Sequence, residues 1–283
     1  MLVSTRELAD HLTDSRWIVF DCRHDLVDKG KGAQLYRSGH IPGAHFAQVE
    51  TDLSGAKSPQ TGRHPLPKPE DFLRFLANHG VTFDTHIVAY DDAGGLYAAR
   101  LWWLARWVGL RHVSLLDGGF NRWQAEERLI TTEVPEKRPA GTLSLEAGHM
   151  GSVSTEDVVR QLSDTTSLVI DARAPERYRG DVEPIDRVGG HIPGAVNRFF
   201  KDNLNSDLTF RSSDELRRDF TALMKGVVPA RVIHQCGSGI TACVNLFAME
   251  RAGLAGSHLY SGSWSEWITD PARPVTQEPK PAS

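Results

Sequence analysis

The segment Gly39-His40-Ile41-Pro42-Gly43-Ala44 returns, residue for residue, as Gly190-His191-Ile192-Pro193-Gly194-Ala195, 151 positions further on. Six identical residues in one order do not arise readily by chance, and other landmarks keep nearly the same offset. Residues 17–23 parallel 167–173, residues 86–91 parallel 231–236, and residues 117–123 parallel 261–267. A period this long exceeds that of a solenoid unit. The chain therefore reads as two copies of one domain, and its 283 residues give each copy ordinary domain size.

Within each copy, short apolar runs rich in β-branched residues alternate with helical patterns. That alternation predicts an α/β fold, two similar domains each with a parallel sheet and helices on both faces. In the second copy the expected order is a helix over Thr155 to Leu162 with Ser154 as N-cap, a strand over Leu168 to Asp171, and a helix over Asp214 to Met224. A strand over Val232 to Gln235, a helix over Ile240 to Ala252 stopped by Gly253, and a strand over His258 to Tyr260 complete it. Asp157 stands where a capping box usually has Glu or Gln. The first copy matches, with a helix over Leu96 to Val108 stopped by Gly109. The domains are expected at 1–130 and 152–274. Between them the stretch 131–151, with Pro135, Pro139 and Gly141 among charges, has linker chemistry, and 275–283 reads as an extended tail. Trp102, Trp103, Trp107 and Trp123 fall at core spacings.

A net charge of -4 without a basic run argues against nucleic-acid binding. No apolar stretch approaches the roughly 20 residues of a membrane helix, so no membrane is expected either. The start, Met1 to Asp10, lacks a charged-then-apolar signal pattern, which favours the cytoplasm. Cys22, Cys236 and Cys243 are too few for a disulfide framework, and metal spacing is absent.

Cys236 is the residue that carries chemistry. It ends the strand and opens Gly237-Ser238-Gly239-Ile240-Thr241-Ala242, after which a helix begins. Strand, cysteine, two glycines and helix together build a cradle of main-chain N–H groups, and the helix N-terminus adds partial positive charge, favouring a nucleophilic thiolate. A buried structural cysteine would need no glycines. A cysteine phosphatase would place arginine six residues on, where Ala242 stands. A redox pair with Cys243 would have to span about 10 Å along the helix, too far for a disulfide. A persulfide fits best: its outer sulfur carries negative charge, which inward N–H groups and the Ser238 and Thr241 hydroxyls stabilise without a counter-ion.

On the tandem copies, the two Gly-His-Ile-Pro-Gly-Ala segments, the loop from Cys236 to Ala242 and Gly262-Ser263-Trp264, the sequence resembles the two-domain rhodanese family of sulfurtransferases from about Leu2 to Pro274. The resemblance implies two rhodanese-like domains, with the nucleophile only in the second; Asp91 stands where Cys236 stands in the other copy. The neutral loop is similar to that of the branch that uses 3-mercaptopyruvate. The resemblance further implies that the donor is docked by arginines before the second Gly-His-Ile-Pro segment. Arg177 matches the first, Arg187 follows Glu183-Pro184 at an altered spacing, and Arg179 is a third candidate. A Ser-His-Asp relay is implied with Ser238 and His40 and an acid near Asp28, although His191 in the same motif argues that both histidines pack the turn. Gly237, Gly239, Ile240 and Thr241 complete the substrate loop. Asp21 and Asp171 are expected to brace local backbone. The expected activity is transfer of a sulfane sulfur from 3-mercaptopyruvate through a Cys236 persulfide to cyanide or a thiol such as glutathione or thioredoxin, with no cofactor and no metal. Thiosulfate as donor, or a non-catalytic persulfide-binding module, are the alternatives.

Overall fold

The computed structural model describes residues 1–277, which form two compact units. The first unit holds the elements β1 (Leu2–Val3), α1 (Thr5–His11), β2 (Trp17–Asp21), α2 (Lys31–Ser38), β3 (His45–Phe46), α3 (Pro69–Asn78), β4 (His86–Tyr90), α4 (Ala98–Trp107), β5 (Val113–Leu116) and α5 (Gly119–Ala125). The second holds β6 (Gly151–Val153), α6 (Thr155–Gln161), β7 (Leu168–Asp171), α7 (Pro175–Arg179), β8 (Val196–Asn197), α8 (Ser213–Met224), β9 (Val232–Gln235), α9 (Ala242–Arg251), β10 (His258–Tyr260) and α10 (Ser263–Trp267). The sheets run β1-β5-β4-β2-β3 and β6-β10-β9-β7-β8, one topology used twice, and every strand pair is parallel.

Parallel strands covered on both faces must be apolar throughout, and successive side chains must serve opposite layers. The second unit shows this directly. Val169 and Ile233 pack with Val158, Tyr178, Trp264 and Trp267, while their neighbours Ile170 and Val232 pack with Leu216, Phe220, Ala248 and Met249. Helices α6, α7 and α10 thus cover one face and α8 and α9 the other. In the first unit Trp102, Trp103 and Trp123 are core residues, and Trp107 stacks on Trp103.

Helix ends follow local chemistry. The Ser154 side chain accepts from the Asp157 amide, and the shorter Asp157 carboxylate still reaches back to the Ser154 amide at 2.8 Å, so the box closes without Glu or Gln. Past α4 and α9, Gly109 and Gly253 take positive φ, +101° and +73°, which glycine does without strain.

The chain is not divided by a single cut. Ala56–Pro65 belongs with the second unit and Leu204–Phe210 with the first. The stretch expected as a linker has no regular element from α5 to β6, but it is tied down along the first unit. Thr131 bridges His40, the Gly141 amide donates to the Ala77 carbonyl at 2.8 Å, and the His149 amide to the Arg106 carbonyl at 2.9 Å. A Cβ at Gly141 or Gly148 would strike the carbonyls of Val81 or Trp107, so both positions require the bare backbone. Of the expected tail, Thr276 bridges His191 just as Thr131 bridges His40; residues 278–283 lie outside the described residues. Among the described residues no helix is long and apolar enough to cross a membrane.

Candidate active site

Asp171 pairs with Gln235 across the sheet, so the chain leaves the C-terminal edge of β9 at Cys236, the edge where parallel α/β sheets carry their sites. Cys236 is 1% exposed. Its amide donates to Ser263 Oγ at 3.1 Å, and Ser263 Oγ donates on to the Tyr260 carbonyl at 2.9 Å. The carbonyls of Cys236 and Gly237 accept from the amides of Trp264 (3.0 Å) and Ser265 (2.9 Å). The start of α10 therefore clamps the loop, which gives the Gly262-Ser263-Trp264 segment its purpose. Inside the loop the Gly239 amide donates to Cys236 Sγ at 3.2 Å. Gly239 holds φ +79°, and a Cβ there would strike the Ser261 carbonyl. Ile240 is buried, Thr241 leads into α9, and Cys243 Sγ donates to the Gly239 carbonyl at 3.4 Å.

The first unit shows what such a loop is built to hold. Asp91, the counterpart of Cys236, is 1% exposed, and its carboxylate accepts four main-chain N–H groups. Oδ1 takes those of Ala93 (2.8 Å) and Gly95 (2.9 Å), and Oδ2 those of Tyr97 (2.7 Å) and Ala98 (2.9 Å). Burial pushes this carboxyl up, and the four amides oppose it. The Phe120 amide closes onto the Asp91 carbonyl at 2.8 Å, the same clamp that Trp264 makes on Cys236. One copy of the fold thus surrounds a single negative charge with amides alone.

The hydroxyl of Ser238 meets His64, Nδ1 to Oγ 2.8 Å, and both side chains are buried. His40, expected in this place, is engaged elsewhere. Its ring stacks on Tyr36 at 3.9 Å, and its nitrogens face the carbonyls of Tyr36 (2.8 Å) and Glu133 (3.1 Å). His191 repeats the arrangement on Tyr178, at 3.8 Å, with Nδ1 2.9 Å from the Tyr178 carbonyl. The shared motif places the same stacked histidine in both copies. Asp28 accepts the Gly30 amide in a local turn. Asp21 and Asp171 brace Arg23 and Arg173, whose guanidiniums run on to the carbonyls of Gly39 and Gly190.

Arg177 lies at the loop: its Nη2 and Nη1 are 3.6 and 3.7 Å from where a Cβ on Gly237 would sit. It is held by Glu183 (Nη2–Oε1 2.7 Å) and Asp186 (Nη2–Oδ2 3.1 Å). Burial disfavours the Glu183 charge, but Arg177 and the amides of Asp186 and Ile185 outweigh it and hold the carboxyl below its usual range. At Asp186 burial is the larger effect and pushes the carboxyl up, with Arg63 and Arg177 opposing. Arg187 does not join Arg177. Its Nη2 donates to the Ile268 carbonyl, and it lines a cavity of about 440 Å³ together with Lys57, Arg63, Asp186, Ser265 and Thr269. Arg179 pairs locally with Asp181 at 2.8 Å. The guanidinium beside Arg177 is Arg63, whose Nη2 is 2.8 Å from the same Cβ position and whose Nη1 meets Asp186. Arg63 and His64 both come from Ala56–Pro65, which carries no motif; its one signal is that residues 207–216, at the repeat offset, contain no histidine. Among the described residues no group of three His, Cys, Asp or Glu is placed to hold a metal.

Comparison with known proteins follows these lines. A family model described as a rhodanese-like domain matches residues 4–126 and 154–270. A Pseudomonas aeruginosa protein named "Probable 3-mercaptopyruvate sulfurtransferase" is 45% identical over 97% of this chain and 97% of its own length. The thiosulfate sulfurtransferase of Mus musculus is 35% identical over 94% of this chain and 91% of its own. A crystal structure of SseA, a 3-mercaptopyruvate sulfotransferase from Escherichia coli, superposes with a TM-score of 0.79 at 34% identity, covering 94% of this chain and 99% of that one.

Proposed function

Because the chain belongs to the rhodanese-like family and is a sulfurtransferase, we propose that Cys236 takes a sulfane sulfur from 3-mercaptopyruvate and hands it to cyanide or a thiol. The Cys236 thiolate attacks the donor's sulfur. The donor's C–S bond breaks, its electron pair leaves on the pyruvate enolate, and protonation gives pyruvate. Cys236 then carries a persulfide. An acceptor thiolate or cyanide attacks the outer sulfur, the S–S bond breaks, and the Cys236 thiolate returns, a two-step covalent relay. The Ser238–His64 pair, one hydroxyl inside the loop, receives the proton that the donor thiol must lose. Arg177 docks the donor's carboxylate. A reducing cytoplasm and a dithiol acceptor of thioredoxin type suit three buried free cysteines.

The observation that carries this reading is the Asp91 cradle. Its carboxylate oxygens stand two bonds from Cβ, and so does the outer sulfur of a cysteine persulfide. By the repeat, the loop amides that would receive that sulfur are those of Ser238, Ile240 and Ala242, beside the Gly239 amide already on Sγ, while the Cys243 amide, unlike that of Ala98, turns to the Ile240 carbonyl at 3.1 Å. Mercaptopyruvate is favoured over thiosulfate by the 45% identical relative and by a loop without charge at residues 237–241.

The test is intact mass after incubation with 3-mercaptopyruvate. The wild type gains one sulfur atom, Cys236→Ser gains none, and turnover by that variant would end the mechanism. A large preference for thiosulfate in side-by-side assays would reassign the donor.

A further inference from the structure

We infer that Arg63 is the second donor-docking guanidinium, and that Asp186 positions it together with Arg177. This rests on the mercaptopyruvate reading of the Cys236 site and deepens it. Asp186, with a side chain 4% exposed, grips the outer edges of both guanidiniums, Nη1 of Arg63 and Nη2 of Arg177. Glu183 takes Nε and Nη2 of Arg177. What remains is Nη2 of Arg63 and Nη1 of Arg177, which have no hydrogen-bond partner among the described residues. Both face Gly237, at 2.8 and 3.7 Å from its absent Cβ. Two unspent N–H donors on two planar forks, beside the residue that follows the nucleophile, form a site for one carboxylate. The bare backbone at Gly237 is what lets them approach.

The backbone holds Arg63 there. Its amide donates to Ser265 Oγ at 3.0 Å, Gly62 packs on the Gly262 carbonyl where no Cβ would fit, and His64 ties to Ser238. The same few residues of α10 therefore clamp the nucleophile loop and seat the arginine. Two guanidiniums against two carboxylates leave no net charge, so the site suits a donor with one carboxylate better than a compact dianion.

The experiment uses the full chain with Arg63→Gln and Arg63→Lys. With 3-mercaptopyruvate, KM is expected to rise about tenfold or more while kcat changes by less than about threefold, and Lys, lacking the fork, restores little of it. Loading of Cys236 by inorganic polysulfide, an anion without a carboxylate to fit the paired forks, is expected to fall several-fold less than mercaptopyruvate turnover. If polysulfide loading falls as far as mercaptopyruvate turnover, Arg63 only supports the loop and the inference is overturned. It is also overturned if KM stays within about twofold of wild type. Wild type that does not use mercaptopyruvate at all fails the functional reading instead. A measurement without a variant closes the remaining route: pyruvate should protect both Arg63 and Arg177 of the wild type from phenylglyoxal, read by peptide mass. Protection of Arg177 alone assigns Arg63 no part in docking.

Discussion

Ser263 sits at φ +54°, a region costly for any residue but glycine, and its counterpart Gly119 takes φ +57° freely. The strain is kept for the hydroxyl, which joins the Cys236 amide to the Tyr260 carbonyl. Ser263→Ala is expected to lose about 1 kcal/mol of stability and about tenfold in kcat/KM. Ser263→Gly is expected to recover the stability, by relief of φ, but not the rate. Urea unfolding and steady-state turnover check both; a Gly variant with wild-type rate would show that the hydroxyl is irrelevant to the loop. At this scale the loop of Cys236, Gly237, Ser238 and Gly239 and the place of Arg177 beside it were legible, because they lie in one contiguous stretch or in a motif close to it. His64 was not. It meets Ser238 across 174 residues of sequence, from a segment with no periodicity to reveal where it folds. Arg63 comes from the same segment, while Arg187, which stands near a Glu-Pro pair, turns to the Ile268 carbonyl.

Helix α8 carries its instructions in its first turn. Ser212 accepts the Glu215 amide at 3.3 Å, and Glu215 returns to the Ser212 amide at 3.1 Å. Ser212→Ala is expected to cost about 1 kcal/mol, seen as a lower melting temperature, with sulfur transfer unchanged. A fall in turnover at equal folded fraction would tie α8 to the site. Elements of this kind were readable to within a residue or two: β7 and β9 fall where their β-branched runs stand, β10 over His258 to Tyr260, and α9 begins at Ala242 rather than Ile240. Segments 56–65 and 131–151 were not readable. Their hold comes from glycines against distant carbonyls, at Gly62, Gly141 and Gly148, and no local pattern announces such contacts.

For the molecule as a whole, pH stability is governed from inside. His234 lies buried on β9 against Met249, and burial pushes its ring down to about 3 from 6.5. Burial, with His79 and Arg138, likewise holds His45 at about 4. Above pH 6.5 neither the folded nor the unfolded form binds these protons. Below it the unfolded chain does and the fold does not, so stability declines as pH drops toward 3, by at most about 1.4 kcal/mol per pH unit for each ring. The urea midpoint should fall between pH 7 and pH 5, and His234→Leu should flatten that slope; an unaltered slope would remove His234 from the explanation. The duplicated architecture was written plainly in the repeat, and its two halves now differ in one respect that matters. Around Asp91 the inward dipoles met their partner once, when the chain folded, and keep it for the life of the molecule. Around Cys236, on the proposed chemistry, the partner arrives and departs with every turnover. The protein thus carries, a few strands along its own backbone, a permanent cast of its working state.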